Sequence, residues 1–174
     1  MLRAKNIWVM GGDPRQAALA ALLADDGHSV HTYALEQGAG MKCEPSTAGA
    51  DRADCVILPL PAAGPDGGLN TPLSERRHHL EEVLDGLRPG QLVCAGMVDG
   101  RLKELAEARG LTLRDYFARE ELAVLNAVPV ALAVWQRRGK GSECPGGRVP
   151  LGHLVSLNRL VQPVHLAKLL LQSA

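Results

Sequence analysis

The sequence is poor in aromatic residues, which make up 3% of its 174 positions. Its core must therefore be filled by small aliphatic side chains, and the abundant Ala, Leu, Val and Gly suit helices layered on a sheet. It has no excess charge, with 19 basic and 19 acidic residues. That balance gives no sign of nucleic acid, an anionic membrane or an acidic partner. No apolar run approaches the roughly 18 residues of a membrane helix. Asn6–Met10 is too short for the apolar region of a signal peptide. A soluble, cytoplasmic protein is the expectation. The chain has no CxxC pair. Cys43, Cys55, Cys94 and Cys144 read as reduced thiols, with a zinc site built from them and some of the six histidines as the alternative. GxSxG, Walker and HExxH motifs are absent as well.

What is there is an alternation of strand and helix signals. Asn6–Met10 is a short apolar run ending in Gly11-Gly12, which reads as a buried first strand. Asp13 is a good N-cap and Pro14 a favoured first helical residue. The spacing of Ala18, Leu19, Leu22 and Leu23 predicts a helix over 14–26, stopped at Gly27. Ser29–Tyr33 is a second strand. Residues 38–53 are weakly patterned and suit a loop with a short helix or strand. Residues 55–60 form a third buried strand. A Gly/Pro-rich loop follows, and Ser74 is placed to cap a helix over 75–87. His78 and His79 fall on its exposed face, pointing apart, so they make a poor joint metal site. Residues 91–95 and 111–115 are further strands, and 100–109 and 120–126 further helices. This predicts an α/β fold of about five strands and four helices. The sheet is doubly wound and mostly parallel, a flavodoxin-like or Rossmann-like three-layer sandwich. Residues 1–135 form the domain. Residues 136–174 are an atypical tail, poorly ordered or packed as an improvised helix, because 137–147 lack periodicity and Pro163 interrupts 151–172.

Three places are candidates for chemistry. Gly11-Gly12-Asp13-Pro14-Arg15-Gln16 joins a strand to a helix, where open α/β sheets bind ligands. A helix N-terminus attracts anions, and Arg15 offers a planar fork to a carboxylate. The plainer alternative is a tight turn with Asp13 as a simple cap and Arg15 on the surface. The run is not a GxGxxG fingerprint, and no acidic residue closes the second strand, so a dinucleotide site is not expected here. Residues 116–129 carry Arg119, Glu120, Glu121 and Asn126, and taken alone they read as a solvated helix start. Pro59 and its loop form either a cleft wall or an ordinary loop.

Taken together these segments resemble the dipicolinate synthase A chain of endospore-forming bacteria. The resemblance rests on Gly11-Gly12-Asp13-x-Arg15-Gln16, on Val56-Ile57-Leu58-Pro59, and on Arg119-Glu120-x-x-Ala123-x-x-Asn126-x-x-Pro129 after Phe117. Spacing and order agree over roughly residues 3–130. It implies an N-terminal flavodoxin-like domain followed by an NAD(P)-binding Rossmann domain, as in two-domain dehydrogenases such as alanine dehydrogenase. The implied reaction is nicotinamide-dependent formation of dipicolinate from a dihydrodipicolinate-type precursor during sporulation. The implied partners are a small dicarboxylate and the second, flavoprotein-like component of dipicolinate synthase; a further copy of the chain is a separate candidate, since the sequence does not fix the oligomeric state. The implied substrate-side residues are Gly12, Asp13, Arg15, Gln16, Pro59, Glu120 and Asn126, with Arg15 as the carboxylate binder.

The sequence departs from the family after Pro129, where Val130 replaces a Thr-x-Glu-Gly-like stretch, and no glycine-rich turn appears before Ala174. The expectation is that this polypeptide holds no cofactor and is not active alone, since hydride transfer needs a nicotinamide site. Residues 143–149, back-translated and read one nucleotide later, can give Ser-Val-Leu-Val-Val-Gly-Phe, which suggests a frameshifted remnant of the second domain. The competing readings are a non-enzymatic binding or assembly module, and an unrelated flavodoxin-like regulator. The supporting acidic pair and lysine of a phospho-acceptor site are not evident.

Overall fold

The computed structural model describes residues 4–38 and 42–118. Their strands are β1 (Asn6–Met10), β2 (Ser29–Tyr33), β3 (Cys43–Glu44), β4 (Cys55–Ile57), β5 (Leu92–Ala95) and β6 (Thr112–Asp115). Their α-helices are α1 (Pro14–Asp25), α2 (Leu80–Asp85) and α3 (Gly100–Ala108). All strand pairs are parallel, in the order β3-β2-β1-β4-β5-β6. This is the Rossmann order, and without the two-residue β3 it is the flavodoxin order. The expected α/β fold is therefore present. The sixth strand lies in the weakly patterned stretch, which also holds a 3-10 turn, Ala50–Arg52.

Side chains alternate across a strand, so each strand feeds both faces of the sheet. Trp8, Met10, Val56, Leu58, Val93 and Ala95 pack with Leu80, Val83 and Leu84 of α2 and Leu102 and Ala106 of α3. Ile7, Val9, Cys55, Ile57 and Cys94 pack with Leu19, Ala20 and Leu23 of α1 on the opposite face. Burial on both faces explains why β1 and β4 read as unbroken apolar runs. Helices α1 and α3 end alike. Gly27 and Gly110 take left-handed backbone with φ of 87° and 64°. The residue after each donates back into the last turn, His28 N to Leu23 O at 3.1 Å and Leu111 N to Ala106 O at 2.9 Å. That is the glycine-terminated helix end the sequence signalled at both places.

Three expectations need correction. The third strand stops at Ile57 rather than residue 60. One more ladder bond follows, Leu58 N to Cys94 O at 2.7 Å, and then Pro59 has no N–H to continue it. The helix expected over 75–87 is only Leu80–Asp85, with His79 rather than Ser74 at its cap. His78 therefore does not lie on an exposed helix face. Its Nδ1 is 2.9 Å from the Tyr33 hydroxyl, its Nε2 is 3.0 Å from Ser74 Oγ, and its carbonyl accepts from Leu69 N at 2.8 Å. These bonds to β2 and the preceding loop hold residue 78 out of the helix, and Ser74 serves His78 and Arg76 N instead. Cys43 is half-buried and Cys55 and Cys94 are buried, all three as free thiols, while Cys144 lies outside the described residues. Residues 120–126 and the tail over 136–174 also lie outside them.

Leu84 is fully buried where α2 meets the sheet. Leu84→Ala should lower unfolding free energy by about 2–5 kcal/mol in urea titration, the usual range for a deleted core leucine.

Candidate functional site

The strand order reverses direction between β1 and β4, so the crevice beyond their carboxyl ends is where an open α/β sheet accepts ligands. Two glycines turn the chain from β1 into α1. Gly11 has φ of 67° and Gly12 of 103°, a region that disfavours any side chain. Gly11 N donates to Tyr33 O and Gly12 N to Asn70 O, both at 2.8 Å. The loop after β4 thus crosses the turn at van der Waals range. A Cβ on Gly11 would lie 2.9 Å from both Asn70 O and Thr71 Cγ2. A Cβ on Gly12 would collide with Gln16 and sit 3.3 Å from Pro59.

Asp13 caps α1, its Oδ1 accepting from Arg15 N at 2.9 Å. The same carboxylate holds the Arg15 guanidinium, with Nε 2.8 Å from Oδ2 and Nη2 2.7 Å from Oδ2. Burial pushes the Asp13 carboxyl upward, but hydrogen bonds from Arg15, its charge and the Gln16 amide outweigh this and leave the group below the usual carboxylate range. Arg15 is held charged, chiefly by its bond to Asp13. Behind this pair, Gln16 Nε2 and the Tyr116 hydroxyl converge on the Leu58 carbonyl, at 2.9 Å and 3.1 Å. Burial drives the Tyr116 phenol strongly upward, so it stays a neutral donor. On the other side of the turn, burial lowers His78, leaving a neutral imidazole between two hydroxyls. The adjoining open groove, of about 340 Å³, is lined by Asp66, Asn70, Thr71, Arg77 and His78 among others.

Gly12, Asp13, Arg15, Gln16 and Pro59 are therefore brought together at one corner, between β1, α1 and the loop after β4. Glu120 and Asn126 lie outside the described residues. Arg15 does engage a carboxylate, although it is the protein's own. Sequence reasoning placed Tyr116 at the head of a candidate segment, 116–129, but gave it no role, since its signal was only its position after β6. It also missed the Tyr33–His78–Ser74 cluster, whose signal was the Ser-x-x-x-His spacing before α2. The Asp13 carboxylate occupies the helix N-terminus, and Gln16 fills the space beside Gly12. Among the described residues no three metal-ligating side chains cluster, and no helix is long and apolar enough to cross a membrane.

The family model for the N-terminal domain of the dipicolinate synthase A chain matches residues 6–117. The protein is also similar to the crystal structure of the dipicolinate synthase A chain from Bacillus subtilis. The identity is 23% over 83% of this chain and 50% of that one, with a TM-score of 0.68. The corresponding dipicolinate synthase structure from Bacillus halodurans gives 20% identity over 96% of this chain and 60% of that one, also with a TM-score of 0.68. The sequence thus spans between half and three fifths of the length of these two structures. No curated protein matches it by sequence.

Two outcomes test this geometry. Gly12→Ala should cost roughly 1–3 kcal/mol of stability by forcing a Cβ into left-handed backbone, before any cost of moving Gln16. Asp13 is lowered in the folded state, so the unfolded chain binds more protons as acid is added, and folding is favoured as pH rises. Its contribution should be complete above the ordinary carboxylate range and disappear only below it. Asp13→Asn should remove that acid limb from a plot of melting temperature against pH.

Proposed function

The protein belongs to the family of dipicolinate synthase A-chain N-terminal domains, and on that premise we propose that it is the substrate-side domain of a dipicolinate synthase. In this reading it binds and orients a small dicarboxylic acid at the carboxyl ends of β1 and β4. Arg15 receives one carboxylate. Gly12 lets backbone approach closely, while Gln16 and Pro59 form the floor and wall. The family pattern adds Glu120 and Asn126 to the substrate-side residues. NAD(P), held by a dinucleotide-binding unit of the whole protein, would supply the hydride acceptor. The domain would act with the synthase's second, flavoprotein-like component, in the cytoplasm of a sporulating cell.

The observation that supports this most is the Asp13–Arg15 pair. The guanidinium already holds a carboxylate side-on through Nε and Nη2. Both nitrogens meet the one oxygen Oδ2, with Nε also 3.1 Å from Oδ1, so the fork already sits on a carboxylate and a ligand could engage it through both oxygens. Asp13 keeps the fork oriented until a ligand carboxylate takes its place.

Pyridine-2,6-dicarboxylate should raise the melting temperature of the whole chain, by about 2.7 kcal/mol of stabilisation at a hundredfold excess over Kd. Arg15→Ala should abolish the shift and Arg15→Lys should keep a fraction of it. Asp13→Asn should tighten binding, because asparagine caps a helix as well as aspartate but brings no competing charge. An unshifted melting curve at millimolar ligand, with a stable complex with the synthase's second component, would instead make the domain an assembly module.

A further inference from the structure

Beyond the β1–α1 turn, three side chains stand in a row. The His78 ring lies between the Tyr33 hydroxyl, 2.9 Å from Nδ1, and Ser74 Oγ, 3.0 Å from Nε2. Tyr33 ends β2, and its ring meets the imidazole edge-on, with centroids 4.9 Å apart and planes at 70°. Turns in the preceding loop bring Ser74 within reach. Its amide donates to Thr71 O at 3.1 Å, and its Oγ accepts from Arg76 N at 3.3 Å. His78 lines the open groove of about 340 Å³ together with Thr71 and Arg77, and Ser74 is half-buried beside it.

One order of protons satisfies every bond in the row. Ser74 Oγ accepts from the Arg76 amide and turns its own proton towards His78 Nε2. A neutral imidazole that accepts at Nε2 carries its hydrogen on Nδ1, which then donates to the Tyr33 oxygen. Burial keeps the imidazole below its ordinary range and the Tyr33 phenol above its own, so both are neutral. A hydroxyl against an imidazole whose far nitrogen is held by a third group is the arrangement that makes a serine nucleophilic.

We propose that Ser74, His78 and Tyr33 form a second site, a serine nucleophile, its base and the group that orients the base, and that it hydrolyses small carboxylic esters docked in this groove. Ser74 Oγ attacks the ester carbonyl and forms a new C–O bond, while its proton passes to His78 Nε2. The ester C–O bond breaks, and the departing alkoxide takes that proton and leaves as the alcohol. Water, deprotonated by the same nitrogen, then cleaves the acyl-serine to a carboxylic acid and restores the hydroxyl. No oxidant, reductant or cofactor is consumed, and the activity is independent of the carboxylate reading of Arg15.

The test follows release of 4-nitrophenol from 4-nitrophenyl acetate by the whole chain, and labels the same chain with a fluorophosphonate located by peptide mass spectrometry. Wild type should release 4-nitrophenol faster than buffer and carry the phosphonyl group on Ser74. Ser74→Ala and His78→Ala should each lower the rate above buffer roughly 100-fold, the scale of a lost acid–base partner, and abolish the label. Tyr33→Phe keeps the ring against the imidazole and should lose an intermediate share of both. His79→Ala removes a neighbouring exposed imidazole and should change neither. Ser74→Thr keeps a hydroxyl for the Arg76 amide and should still take the label, more slowly. A rate no higher than buffer, a label on another residue, or hydrolysis that survives in Ser74→Ala would overturn the proposal. The position of the label on wild type decides the matter even where Ser74→Ala folds poorly.

Discussion

The close approach of the post-β4 loop to the β1–α1 turn is the constraint on which the rest of the carboxyl edge depends. Strand β1 is buried on both faces and must pass into a helix within three residues. It does so only because Gly11 and Gly12 have no side chains, which lets the carbonyl of Asn70 reach the Gly12 amide. That single contact brings Pro59 against the start of α1 and leaves Gln16 one buried partner, the Leu58 carbonyl. Tyr116 can meet the same carbonyl only because this corner is in place. The crevice is thus a product of packing that no one of its residues specifies alone.

Much of this was legible in the sequence, for physical reasons. The doubly buried strands left apolar runs, Asp13-Pro14 marked a helix start, and Gly27 and Gly110 marked helix ends. Each of these signals is local, made by neighbours in sequence. What was hidden depends on distant partners. His78 looked like part of a helix because Leu80, Val83, Leu84 and Leu87 repeat at helical spacing. The bond to Tyr33, 45 residues away, overrides that pattern. Tyr116 gave no local sign of its buried hydroxyl, because its acceptor lies 58 residues earlier. Asp115 appeared only as the end of a strand, and its three backbone partners, Val98 N, Phe117 N and Ala118 N, cannot be inferred from spacing.

Arg15 joins the two levels. The sequence left it open between a carboxylate binder and a surface arginine beside a simple cap, the family resemblance pointed to the first, and the fold supplies a carboxylate two residues away. The pairing is local, yet its setting is not. The cation is positioned by the capped start of α1, while Tyr116 approaches from the end of β6. A cap residue that also grips an arginine gives one turn of helix two duties, and loss of either alters the other.

The neutrality of that pair has a kinetic side. An isolated arginine at a cleft mouth sets up a field that reaches about 8 Å through physiological salt and draws anions inward. With Asp13 against it, Arg15 presents a dipole instead, whose field fades within a few ångströms. An incoming acid would then arrive by unaided diffusion, and its rate of capture would change little with ionic strength. Discrimination would come at contact, from the exchange of one carboxylate for another, and the crevice would ignore the many simple anions that a bare cation would collect.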